Sequence, residues 1–268
     1  MNQAGRHRQD RRFSGWSPRA MEGGMELFAE TIQLLRSFAA AAGGRRLDAG
    51  ARPPWPPGGR GCVVFKEDTV LELGGPSTES MSAVLWTCGA EEVHGGSITL
   101  VGPDFAEART PGLPLGLVNI VKVDTVEPDD AAYLMRDLEL VPFELDLKGF
   151  MVRSSSVKHS LRCRIGTQAP RDCVCAAGLA GALGRLYLEK PRVLAVETLI
   201  VTSAGRDMED LRKILDPALA KIEALYRAAS GEEFDCASCD YRDVCSEVEE
   251  IRRLHEAFMR KTREAVNG

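Results

Sequence analysis

Between residues 60 and 125 the chain alternates short apolar runs with glycine and proline. The runs at 62–73, 80–88, 97–101 and 115–123 are rich in Val, Ile, Leu and Thr and predict strands. Gly74-Gly75-Pro76 and Gly102-Pro103-Asp104 predict turns between them. Upstream the period changes. Leu27, Thr31, Leu34, Leu35 and Phe38 recur at helical spacing, and Gly43-Gly44 stop that helix. A Pro/Gly-rich stretch, 43–61, then reads as a linker. Downstream of Pro128 a second helix buries Leu134 and Leu138 and ends before Pro142.

The cleanest alternation lies at 157–165. Val157, His159, Leu161, Cys163 and Ile165 point one way, and Lys158, Ser160, Arg162 and Arg164 the other. Cys163 and His159 therefore read as core residues. Residues 171–189 predict a helix, 193–202 a buried strand, and 206–229 a helix that Pro217 restarts or kinks. A charged amphipathic helix at 246–265 turns Val248, Ile251, Leu254 and Phe258 inward. Strands and helices are partly segregated, which predicts an α+β fold: a mixed β-sheet with flanking helices and a C-terminal Cys-rich segment plus helix. Four regions follow: a basic tail (1–24), a helix and linker (25–61), an α+β domain (62–230) and a metal segment with its helix (231–268).

Composition narrows the function classes. The 268 residues are 44% hydrophobic and 27% charged, ordinary for a globular chain. The net charge of −5 is unevenly spread, because Arg6, Arg8, Arg11, Arg12 and Arg19 crowd the first residues. The rest is strongly acidic, which argues against general nucleic-acid binding. The arm itself reads as a disordered tail, or as a start placed too far upstream of Met21 or Met25. Arg11-Arg12 faintly resembles a twin-arginine export signal, but Glu26, Glu30 and Arg36 interrupt the segment that follows. No run reaches the ~18–20 apolar residues of a membrane span. The expected compartment is the cytoplasm.

Eight cysteines are the chemical signal. In a cytoplasmic chain of this length they point to metal or redox chemistry, not a disulfide framework. Cys236, Cys239 and Cys245 stand at Cys-x2-Cys-x5-Cys spacing. The first pair sets two thiolates on one side of a turn, within reach of one metal centre. Cys245 falls near a helix start, where the positive helix end favours thiolate. No His or Cys follows at zinc-finger spacing, so an iron–sulfur cluster is favoured over a zinc-binding structural module or plain buried cysteines. Three ligands leave the set one short. The fourth is sought in the Cys173-Val174-Cys175 pair first, with Cys62, Cys88, Cys163, a histidine or a partner chain as the other sources. Two thiolates and the intervening amide of a Cys-x-Cys pair could also suit square-planar nickel; alternatively the two cysteines lie on opposite sides of a helix.

The ordered series Glu67-Asp68, Gly74-Gly75, Gly102-Pro103-Asp104 and Pro114-Leu115-Gly116-Leu117 leads on to Glu233-Phe234-Asp235-Cys236. It resembles the β subunit of the CO dehydrogenase/acetyl-CoA synthase complex over roughly residues 25–250, that is, its middle domain and the start of its metal domain. The cysteine string alone also resembles the end of certain iron–sulfur DNA nucleases. The acetyl-CoA synthase resemblance implies that Cys236, Cys239 and Cys245 hold a 4Fe-4S cluster, with Cys239 in the position that bridges to nickel. It also implies that arginines of the middle domain meet coenzyme A, for which Arg153, Lys158, Arg162 and Arg164 are the candidates. Clustered guanidiniums suit phosphates; a solvated or salt-bridged sheet face is the other reading. No cysteine follows Cys245, so the family's later Cys-Gly-Cys nickel site has no counterpart. The function implied is an accessory or electron-transfer subunit in one-carbon or corrinoid metabolism, partnered by a larger metalloenzyme or corrinoid protein. The alternative is an acyl- or methyl-transfer enzyme whose centre is completed by upstream cysteines or a partner chain.

Overall fold

The apolar runs build two mixed sheets, and the helices flank them; the fold is α+β. The computed structural model describes residues 26–230, apart from 52, 60–61, 90–92, 128–129, 154 and 156. Helix α1 spans Ala29–Ala41 and is followed by β1 (Arg45–Leu47), β2 (Thr69–Leu73), β3 (Ser80–Thr87), β4 (Ile98–Val101), β5 (Gly112–Leu113) and β6 (Leu115–Val123). Then come α2 (Ala131–Leu140), β7 (Phe150–Arg153), β8 (Arg162–Gly166), α3 (Ala176–Leu188), β9 (Val193–Val201) and α4 (Arg206–Ser230). The larger sheet has the order β1-β4-β9-β6-β3, and the smaller β5-β2-β8-β7. Two chain crossings join them. β2 turns through Gly74 into β3 while β5 turns through Pro114 into β6, and the pairing continues across the bend through Gly74 N to Leu113 O and Leu115 N to Glu79 O.

Both faces of the larger sheet are covered, which is why β6 and β9 read as largely apolar runs. Leu211 and Met208 of α4 lie over Gly116 and Val201 on one face. Asn119 and Thr198 point to the other, where Tyr187 of α3 faces Asn119. A side chain at Gly116 would stand 2.5 Å from Leu211 Cδ2, so glycine there sets how closely α4 approaches. On α4's face, Arg36 of α1 pairs at 3.0 Å with the nearly buried Glu197.

Three local expectations change. The stripe of α1 is Phe28, Ile32 and Leu35 with Thr31, whereas Leu34 is 47% exposed. Phe28, just before the helix, meets Trp86 edge-on at 4.9 Å and sets the rotation. The 43–61 stretch supplies β1, and Trp55 within it is buried, donating its indole N–H to Lys148 O at 3.0 Å. A tryptophan among prolines pins the chain to the core there. Pro217 neither restarts nor ends α4, which is one helix. An interior proline costs about 3 kcal/mol; burial of Leu211, Leu215, Ala218, Ile222 and Leu225 on both sides of it offsets that cost.

Candidate functional site

Strand β8 is shorter than the alternation suggests. Its inner side buries Cys163 and Ile165, preceded by Leu161, as expected. Residues 157–159 form a turn instead, and Val157 is 57% exposed. His159 sits in the left-handed region at φ 51°, a conformation uncommon for a residue with a Cβ. The turn is held from two sides. His159 O accepts from Ser82 N at 2.7 Å, and Leu161 O accepts from Ser80 Oγ at 2.6 Å. The segment therefore lies along β3, the edge strand of the larger sheet, and covers backbone groups that would otherwise be open.

The four basic candidates do not act as one cluster. Arg153 and Arg162 are directly opposed on β7 and β8, and Arg164 faces Glu72 across β2. Glu72 Oε1 takes both Arg153 at 2.9 Å and Arg164 at 3.2 Å. Arg162 keeps a buried Nε with no hydrogen-bond partner. Two guanidiniums thus share one carboxylate on the half-buried polar face of the smaller sheet, with Arg162 beside them. Lys158 is elsewhere, gripping Glu223 of α4 at 2.8 Å.

Cys236, Cys239 and Cys245 lie outside the described residues, as does the basic arm. Cys173 and Cys175 are described. Neither is inside the helix: Cys175 is its N-cap in extended conformation, with Sγ accepting from Gly178 N at 3.3 Å. Asp104 Oδ1 accepts from Ala176 N at 2.8 Å and so anchors the same helix start to the end of β4. Cys173 Sγ points to Pro54 O at 3.8 Å. Both thiols are buried. Burial, then Asp172 and Cys175, push the Cys173 thiol up, which disfavours thiolate. These two sulfurs sit at the start of α3, on the opposite face of the larger sheet from α4, after whose end Cys236 follows by six residues. Among the described residues no group of three or more His, Cys, Asp or Glu is gathered closely enough to hold a metal.

No protein-family model and no curated protein matches this sequence. Among the described residues, no helix is long and apolar enough to cross a membrane.

A feature the sequence did not signal lies beside the 157–161 turn. A cavity of about 490 Å³ opens between β3, the end of α2, the turn at 142–143 and the last turns of α4. Glu223 and Tyr226 reach it from one face of α4, being three apart. Tyr226 Oη donates to Glu139 Oε2 at 2.5 Å. Burial, then that hydrogen bond, raise the tyrosine's pKa and keep it a donor. The Lys158 hydrogen bond, against an opposing burial effect, holds the Glu223 carboxyl below the usual range. His159 Nε2 is buried 3.4 Å from Glu223 Oε1 without a hydrogen bond. His159 is therefore a wall of this cavity, not a satisfied core histidine. Glu139 and Tyr226 are 87 positions apart, and no spacing in the sequence could connect them or Glu223 to Glu139.

Proposed function

We propose that this protein is a cytoplasmic iron–sulfur module, an accessory or electron-transfer subunit serving a larger one-carbon or corrinoid metalloenzyme. The observation that carries the reading is the Cys236-x2-Cys239-x5-Cys245 set, placed directly after the last helix of an α+β domain. The donor set fits a 4Fe-4S cluster, since soft thiolates at a Cys-x2-Cys turn suit iron and sulfide better than hard cations. Support also comes from element order. The resemblance to the acetyl-CoA synthase β subunit implies helix, basic strand, helix, strand, helix; α2, β8, α3, β9 and α4 come in that order, with β7 as an additional strand between α2 and β8.

The fourth ligand is open to a clean substitution. Serine is itself a favoured N-cap, so Cys175→Ser should keep α3 intact; iron loss in that variant would assign the ligand, and full iron would exclude it. The test of the cluster itself is Cys239→Ser. Visible absorption and nearly all iron should disappear from that variant and persist in Cys62→Ser and Cys88→Ser. An unchanged spectrum in Cys239→Ser removes the assignment.

One observation favours a second reading, an acyl- or methyl-transfer enzyme with nickel completing the centre. Arg153, Arg162 and Arg164 outnumber Glu72 on the half-buried polar sheet face, and paired guanidiniums suit the phosphates of coenzyme A. Stoichiometric nickel, with coenzyme A binding lost in Arg162→Ala, supports this reading; iron without nickel supports the module.

A further inference from the structure

We propose that the cavity at the β3 edge binds a small organic cation, an amine on a short apolar body, with its ammonium taken by Glu139 and Glu223. The inference rests on described residues alone and is independent of the cysteine motif.

The cavity has the size and make-up of a ligand site: mostly apolar walls with a few convergent polar groups. Val84, Leu117, Leu161 and Phe143 supply the apolar walls, and Phe143 is half exposed at the mouth. The polar groups gather on the side of α4. Two carboxylates stand there against one lysine. Lys158 closes on Glu223 with both carboxylate oxygens within 2.9 Å, but its side chain is 76% exposed, so it can swing into water. Glu139 has only a neutral side-chain partner, the Tyr226 hydroxyl, among the described residues. A partly buried carboxylate satisfied by one hydroxyl gains most from a cation. An anionic ligand would meet the same carboxylates and be repelled. A metal ion is disfavoured because no three-ligand group is present among these residues.

The turn gives the second, independent argument. His159 is held at positive φ by hydrogen bonds to β3, and its Nε2 stands 3.4 Å from Glu223 Oε1, in a loose contact. Strained backbone and a loosely paired ring nitrogen coincide at this wall. In the tautomer that carries its proton on Nδ1, that nitrogen accepts a hydrogen bond from an ammonium.

The test uses the full chain, titrated with n-butylammonium and, as its charge-reversed counterpart, butyrate, followed by amide NMR. Saturable shifts around Ser82, Ala83 and Leu117 are expected with the amine and not with butyrate. Glu139→Gln should weaken amine binding by about tenfold, the scale of one charge-assisted hydrogen bond. Lys158→Met should tighten it, because a competing cation leaves Glu223; a merely damaged fold could not do that. Equal binding of butyrate, shifts mapping elsewhere, no saturation with either probe, or weaker amine binding in Lys158→Met overturns the proposal.

Discussion

The two sheets use the same kind of strand for opposite ends. In the larger sheet, successive residues of β9 such as Leu199 and Ile200 are both buried, one on the face that carries α1 and one on the face that carries α3. In the smaller sheet, β8 buries Cys163 and Ile165 fully and leaves Arg162 and Arg164 only partly buried. The larger sheet consumes its side chains in packing. The smaller sheet, and the β3 edge next to it, keep charged groups available. Full burial and partial burial are thus divided between two halves of one continuous set of strands.

The largest effects should come from breaking that division in the core. Leu199→Ala and Ile200→Ala should each cost about 2–5 kcal/mol in urea unfolding, as large-to-small changes at closed sites do. On β8 only one of two neighbours should behave so: Ile165→Ala falls in the same range, while Arg164→Ala costs roughly 1 kcal/mol. If Arg164→Ala matched Ile165→Ala, the polar face would be part of the core after all.

The next effect is in the backbone. Gly149 leads into β7 at φ +69°, and a Cβ there would lie 2.2 Å from Ala169 N. Gly149→Ala should therefore destabilise by about 1–3 kcal/mol and loosen β7 first, seen as faster amide exchange in β7 than in β9. Uniform loosening of both sheets would contradict their separation.

A smaller effect is expected from Glu72→Gln. It leaves Arg153 and Arg164 without their shared carboxylate, so stability should fall by roughly 1 kcal/mol and recover partly with salt. Smallest is the titration of Glu223. Its folded pKa is depressed, chiefly by Lys158, below the ordinary value of about 4.3. The stabilisation is present above that ordinary value and is lost as pH falls through the folded one. Lys158→Met should move the Glu223 transition upward in carboxylate-resolved NMR and shrink the stability lost on acidification. An unmoved transition would show that the Lys158 contact does not persist in solution.

Residue pattern alone made the larger sheet legible. Continuous apolar runs at 80–88, 115–123 and 193–202 became β3, β6 and β9, because closed strands record burial on both faces. The smaller sheet was half legible. β8 was visible through its alternating arginines, but β5 and β7 are two and four residues long and carry too few side chains to show a period. Trp55 and Phe28 escaped because each is fixed by a distant partner, Phe150 and Trp86, not by its neighbours. The chemistry divides in the same way. A Cys-x2-Cys-x5-Cys motif is local and can be read directly. The Glu139–Tyr226–Glu223 wall is assembled by packing α2 against α4, and appears only when the chain is folded.

The central functional claim is that the segment after α4 carries an iron–sulfur cluster. The most direct measurement is elemental and sulfide analysis of the full chain purified without oxygen, with iron, acid-labile sulfide, nickel and zinc counted per chain. The account expects about four irons and four sulfides, with neither zinc nor nickel at stoichiometric level. Stoichiometric zinc without iron, or no bound metal at all, would contradict it.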